Sequence, residues 1–222
     1  MAILKTGLKT GVRELQKHTR RRAILDAARS LILDGNDRDF SMPVLAEKAG
    51  VSLVTPYNLF GSKSSILLEI VREDIFARIA DIDALARDSL VDWIGALSRT
   101  LAAVYYRNRH FYRRMIVTLV AQESAEEQRA ALELTYRMFE APLTRLQEED
   151  ALSSAVPAAI LARHLAHGIS GSLQHRLMER GSEEHLQRDI EMALLLLLGG
   201  LAAAGEREHL LGRVAVLSQP AE

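Results

Sequence analysis

Apolar residues recur at the spacing of one helix face along most of this chain. Ile24, Ala27, Ala28 and Leu31 fall at i, i+3, i+4 and i+7 in a segment that opens near Lys17, and Asp34-Gly35-Asn36-Asp37 supplies turn residues to close it. Ser41 is placed to cap a second short helix carrying Val44, Leu45 and Ala49, and Gly50 stands where a left-handed residue would end that helix. Ser52 follows as a cap for a third. Two short helices joined by so few residues must cross steeply, which is the helix-turn-helix arrangement. Beyond Ser62 helical patterning continues over about 63–83, 91–107, 110–121, 125–149, 157–180, 183–204 and 206–216, with Pro142 expected to kink or divide the fourth of these. No run alternates with period two between turn signals, so no sheet is expected. The first 16 residues repeat Leu4-Lys5-Thr6-Gly7 as Leu8-Lys9-Thr10-Gly11 and are read as a basic, flexible arm.

Charge changes this picture more than composition does. The net charge of −1 hides an asymmetry, since residues 1–67 carry 11 Lys or Arg against 6 Asp or Glu, while the remainder carries 17 against 23. All five lysines, Lys5, Lys9, Lys17, Lys48 and Lys63, lie in that first third. A basic head on an acidic body points to a polyanion that meets only the head. With no cysteine in the chain, disulfides, thiolate metal sites and cysteine nucleophiles are excluded, and a cytoplasmic location is expected. The longest apolar stretch, 192–205, is shorter than the roughly 20 residues that span a bilayer, so no membrane partner is expected. The N-terminus offers no continuous apolar core before a small-residue cleavage site, and no secretory signal is expected there.

The segment from Phe40 to Lys63 contains Phe40, Ser41, Ala46, Ala49-Gly50-Val51-Ser52, Thr55, Tyr57, Phe60 and Ser62-Lys63. At this spacing it resembles the DNA-binding module of the TetR family of transcriptional regulators, over about residues 17–67. Val54, Pro56 and Leu59 depart from that pattern, where a glycine, a leucine or isoleucine, and a histidine or tyrosine are frequent. Helical geometry at about 100° per residue turns Pro56 and Phe60 inward with Val51 and leaves Leu53, Thr55, Tyr57 and Asn58 for the major groove. Asn58 can pair with adenine edges, and Leu53, Val54 and the Thr55 methyl can touch a thymine methyl. Tyr57 and Lys63 are suited to holding phosphates, and Arg20, Arg21 and Arg22 to gripping the DNA backbone. Ser41 and Ser52, at the two helix starts, complete the DNA-binding set.

The resemblance implies an all-α fold: a three-helix helix-turn-helix domain over 17–67, after the arm at 1–16, and a larger helical dimerisation and ligand-binding domain over 68–222. Within the latter, Trp93, Leu97, Tyr105, Met115, Thr118, Met138, Phe139 and His167 are candidates to line a pocket for an apolar or aromatic effector. Gly168, Gly171, Ser172 and His175 on one helix, with Leu194, Leu197, Leu198 and Leu201 on the next, are the expected homodimer seam, because small residues permit close approach and Leu194 to Leu198 is apolar all round. His164, His167 and His175 share a helix that carries no Asp or Glu from Pro157 to Leu177, so neither a metal site nor any cofactor is expected. The function implied is a ligand-responsive repressor that binds a pseudo-palindromic duplex operator as a homodimer. The alternative is a helical small-molecule-binding protein or enzyme whose head is not used for DNA. No nucleophile elbow, zinc-protease helix or phosphate loop supports catalysis, and the expectation is that this is not an enzyme.

Overall fold

The computed structural model describes residues 2–34, 40–85, 89–113, 125–178 and 181–219. The helices are α1 (Ala2–Asp34), α2 (Met42–Lys48), α3 (Val54–Phe60), α4 (Lys63–Leu85), α5 (Leu90–Arg107), α6 (helical residues 109–113), α7 (Ala125–Glu148), α8 (Ala158–Met178), α9 (Glu183–Gly199) and α10 (Ala204–Leu217). Among the described residues the only β pairing is an isolated bridge between Leu152 and Ala202. No helix among them is long and apolar enough to cross a membrane. The chain divides into two compact units, residues 1–70 with 110–129, and residues 71–109 with 130–222.

In the first unit, Ile24, Leu25, Ala27, Ala28 and Ile32 of α1 are buried together with Phe40, Met42, Leu45 and Ala46 and with Ile66, Leu67, Leu68 and Ile70 of α4. The Ser41 hydroxyl caps α2 by accepting from the Val44 N–H. At the other end Gly50 adopts φ +64°, its N–H donates to the Glu47 carbonyl, and the Val51 N–H donates to the Ala46 carbonyl. That closure satisfies two orphan carbonyls and reverses the chain within a few residues. The α2–α3 turn is thus set by backbone chemistry readable from Ser41 and Gly50.

Three expectations are corrected. Residues 2–16, read as a flexible arm, form the start of α1. Leu4, Leu8, Val12 and Leu15 keep helical spacing through and beyond the repeat, and its Leu and Lys residues are good helix formers that offset the roughly 1 kcal/mol cost of each of Gly7 and Gly11. The helix α7 is not divided at Pro142, which sits inside it, where its missing N–H removes the bond to the Met138 carbonyl. The helix expected to reach residue 204 stops at Gly199, because the chain must turn to bring Leu201 and Ala203 beside Ala151 and Ser153.

The second unit is built around α9, which packs on α5, α8 and α10. Leu186, Ile190, Leu194 and Leu198 of α9 and Trp93, Ile94 and Leu97 of α5 are buried, a gain of about 1.5–3 kcal/mol for each large side chain. Helix α10 buries only Leu210 and is fastened largely by polar contacts. Glu206 accepts from the Leu90 N–H and the Ser89 hydroxyl at the α5 N-terminus, and Arg188 donates to the carbonyls of Leu217 and Gln219. Arg213 donates through both Nε and an Nη to the carboxylate of Glu191, which is only 1% exposed. That hydrogen bond raises the guanidinium pKa above its ordinary value, against the opposing effect of burial.

Removing one member of such a pair strands a buried charge. Arg213→Met should lower the stability of this unit by about 3 kcal/mol, and the Glu191→Leu/Arg213→Met double variant should recover much of the loss. Denaturant midpoints of the two variants check this; a double variant no more stable than the single one contradicts it.

Candidate nucleic-acid interface

The seven residues of α3 present two chemically different sides. Pro56 is buried and Phe60 half-buried, whereas Leu53, Val54 and Tyr57 are 49%, 59% and 48% exposed and Asn58 is exposed as well. An exposed row of two aliphatic side chains, a phenol and an amide carries the group types that can meet base edges and methyls in a DNA groove. Thr55 is half-buried between the two sides. Pro56 is the third residue of α3, where its missing N–H is among the donors that a helix start leaves unpaired anyway. Ser52 does not cap α3 through its side chain as expected. Its hydroxyl meets the Thr55 hydroxyl at 2.8 Å, and its carbonyl accepts from the Thr55 N–H at 2.9 Å. Gly61 ends the helix at φ +82°, a conformation costly for any other residue.

The three consecutive arginines of α1, Arg20, Arg21 and Arg22, have different surroundings. Arg21 donates to the Leu59 carbonyl at 2.9 Å and to Glu69 at 3.0 Å, and its guanidinium lies 4.3 Å from the centre of the Phe60 ring. One fork thereby ties α1 to the C-terminal end of α3 and to α4 and positions the exposed helix. Arg22 pairs with Asp26 on the helix surface at 3.4 Å. Arg20 is exposed. At the start of α4, Lys63 holds its ammonium 4.5 Å from the centre of the Phe40 ring.

Arg20 joins Gln16 and Lys17 of α1 opposite Thr55, Asn58 and Leu59 of α3, and these six residues line an open groove of about 270 Å³. Gln16 and Lys17 were not singled out from sequence, because the arm was expected to end there. Their spacing with Arg20, at i, i+1 and i+4, is the signal that a continuous α1 makes readable.

In the second unit Trp93, Leu97, Tyr105, Met138 and Phe139 are all buried. Met115 and Thr118 lie outside the described residues. His167 does not join this apolar set; it is exposed, and its Nε2 lies 2.8 Å from the Tyr136 hydroxyl. His164 lies beside it, with ring centroids 6.2 Å apart. Among the described residues no group of three or more His, Asp or Glu side chains could hold a metal ion.

The expected dimer seam divides. Leu194 and Leu198 are fully buried within the protomer, because α9 is enclosed by α5 and α8 and uses that stripe for its own core. Leu197, Leu201, Gly168 and Ser172 are half-buried, with the Ser172 hydroxyl donating to the Gly168 carbonyl, while Gly171 and His175 are exposed. Within Leu194 to Leu198, Leu196 is the residue turned outward, at 66% exposure.

No family model matches the chain, and no curated protein matches it in sequence. Solved structures do match. Thermus thermophilus FadR, a TetR-family transcriptional repressor in complex with lauroyl-CoA, is 23% identical, with 82% of this chain aligned to 95% of that one at a TM-score of 0.66. RolR in complex with resorcinol is 16% identical over 94% of this chain and 98% of its own, at 0.60. A TetR transcriptional regulator from Rhodococcus sp. RHA1 is 21% identical over 83% and 99%, at 0.57. At these identities the likeness is one of fold, and the chain has the all-helical fold of the TetR-family regulators.

The Arg21 contacts carry an expectation of their own. Arg21→Lys keeps a charge but loses the fork, and amide hydrogen exchange in α3 should accelerate several-fold while the protection of α5 and α9 is unchanged. Unaltered exchange in α3 would remove Arg21 from its positioning role.

Proposed function

We propose that this chain is a TetR-family transcriptional regulator: a repressor that binds a pseudo-palindromic duplex operator as a homodimer and is released by a small apolar or aromatic effector. The observation that carries this reading is the exposed α3 face of Leu53, Val54, Tyr57 and Asn58, set by a tight turn on a head with 11 basic residues against 6 acidic ones. In this reading Asn58 reads an adenine edge, Leu53, Val54 and Thr55 contact thymine methyls, and Tyr57 and Lys63 hold phosphates. Ser41 and Ser52 act at the rim of the interface, through the helix starts they occupy. The chain works in the cytoplasm, where its DNA is.

Dimerisation supplies the second head that a symmetric operator requires. The outer faces of α8 and α9 suit it: Ile160 and Leu196 are exposed apolar side chains, and at Gly171, Gly199 and Gly200 a side chain would meet nothing within 4 Å. Flat, small-residue surfaces of this kind let helices of a partner approach closely. For the effector, the buried set of Trp93, Leu97, Tyr105, Met138 and Phe139 favours an apolar or aromatic molecule. The repressor FadR was solved with lauroyl-CoA and RolR with resorcinol, ligands that such a lining can hold. Regulation follows if the effector prefers one of two conformations, and about 1.4 kcal/mol of preference gives tenfold release. The roughly 155 residues beyond the head are more than dimerisation alone requires.

Selection of bound duplexes from random DNA tests the reading directly, and a symmetric pair of half-sites is the expected result. Asn58→Ala should relax preference at a few base pairs at a cost of about 1–3 kcal/mol for each lost base contact. Wild-type protein that shifts no duplex even at low salt would refute the function. Leu196→Glu should convert a dimer into monomers in sedimentation, since it places an unpaired charge in an apolar contact; a variant that remains a dimer moves the interface elsewhere. Aromatic and aliphatic compounds that raise the melting temperature should also release the selected duplex, and compounds that stabilise without releasing would leave the switch unsupported.

A further inference from the structure

Three side chains with metal-ligating chemistry meet on the surface between α7 and α8. The Tyr136 hydroxyl of α7 lies 2.8 Å from Nε2 of His167 on α8, with the two rings edge to face at 5.5 Å. His164, one turn back along α8, sets its ring 6.2 Å from that of His167. Both imidazoles are exposed, Tyr136 is half-buried, and His164 makes no hydrogen bond among the described residues. Along α8 alone the ligand set is incomplete, because that helix carries no carboxylate from Pro157 to Leu177. The third donor comes from the neighbouring helix, and it is a phenol rather than an acid.

The distances suit a single ion. Two ligand atoms about 2 Å from one metal stand roughly 3 Å from each other, and two imidazoles bound in that way have ring centres roughly 5–6 Å apart. The Tyr136 and His167 pair has the first spacing already, and the two histidines come within a small side-chain adjustment of the second. A shared proton now joins the Tyr136 oxygen to Nε2 of His167, in the place an ion would take. The Arg163 guanidinium lies over the Tyr136 ring, 5.7 Å from its centre, where it can balance the negative charge a phenol oxygen carries once it ligates a metal. Two imidazoles and a phenol, with no thiolate and no carboxylate, favour copper, nickel and zinc over calcium and magnesium.

We infer that Tyr136, His164 and His167 form a binding site for one divalent transition-metal ion, with Cu²⁺ held more tightly than Zn²⁺. Water fills the remaining positions around the ion. His175 is not part of the set, since it stands about 12 Å beyond His167 along the helix axis. Because the ligands come from two helices, the ion binds only where α7 and α8 are packed together, and it ties them in that arrangement. The site does not depend on the DNA-binding reading of the head.

The experiment uses the full chain, with Cu²⁺ and Zn²⁺ added as salts and no other ligand. One ion per chain should bind at micromolar concentration and raise the melting temperature, whereas Mg²⁺ and Ca²⁺ should do neither. Copper should also produce a visible phenolate-to-metal charge-transfer band that Tyr136→Phe removes. His164→Ala and His167→Ala should each weaken binding by about 100-fold and Tyr136→Phe by about tenfold. Without metal these variants should melt close to the wild type, because none of the three side chains is buried. His164→Gln, which keeps a polar side chain of similar reach, should lose the ion as His164→Ala does. Wild-type affinity in the His164→Ala/His167→Ala double variant would overturn the proposal, since the ion would then sit on other groups. A charge-transfer band absent from the wild type, or retained in Tyr136→Phe, would overturn it as well. So would a melting temperature that inorganic phosphate raises in the wild type but not in the double variant, because Arg163 and the two histidines would then form an anion site.

Discussion

Seven residues of helix do not hold their shape alone in water, since the nucleation cost exceeds what so few backbone bonds return. Helix α3 has that length, and its outward side is committed to exposed apolar and amide groups that contribute nothing to folding. Its existence and direction therefore have to come from its neighbours. Gly50 reverses the chain into it, the buried ring of Pro56 anchors its inner side, and Arg21 accepts the burden of its last turn by donating to the Leu59 carbonyl. The same guanidinium reaches Glu69 of α4 and lies over Phe60, so α1, α3 and α4 meet at one side chain. The outward direction of Leu53, Val54, Tyr57 and Asn58 depends on those contacts.

The second unit solves a different problem by different means. Its centre is apolar, with α9 enclosed by α5 and α8, but its last helix brings little apolar surface to the contact. Charged groups make the difference: Glu206 completes the start of α5, Arg188 receives the end of α10, and Arg213 neutralises the buried carboxylate of Glu191. Such contacts have strict geometry, and they add direction where apolar burial adds only attraction. The outer faces of α8 and α9 retain apolar side chains and bare glycines that the protomer does not cover. Leu194 and Leu198, by contrast, are spent on the protomer's own core.

Charge is divided unevenly along the chain. The head gathers all five lysines, and the body carries an excess of acid. Within the head, pairing refines the distribution further. Arg21 and Arg22 are drawn into contacts with protein groups, while Lys17 and Arg20 are left facing a groove beside α3.

Local chemistry decided what could be read from the chain by itself. Ser41 and Gly50 act on backbone groups within a few residues of themselves, so the cap and the reversal at α2, and the inward Pro56 with outward Leu53, Tyr57 and Asn58, follow from spacing and helical geometry. The motif from Phe40 to Lys63 likewise implied the fold the comparisons show. What the chain could not reveal are the outcomes of competition between distant groups. Arg20, Arg21 and Arg22 are identical in sequence terms, and only the approach of Leu59 and Glu69, 38 and 48 residues away, makes Arg21 a brace. A run of five leucines is apolar in every direction, and only the positions of α5 and α8 decide that Leu194 and Leu198 turn inward while Leu196 faces out. Periodicity measures whether a face exists; which neighbour covers it is settled by packing, where every apolar surface competes for the same few interfaces.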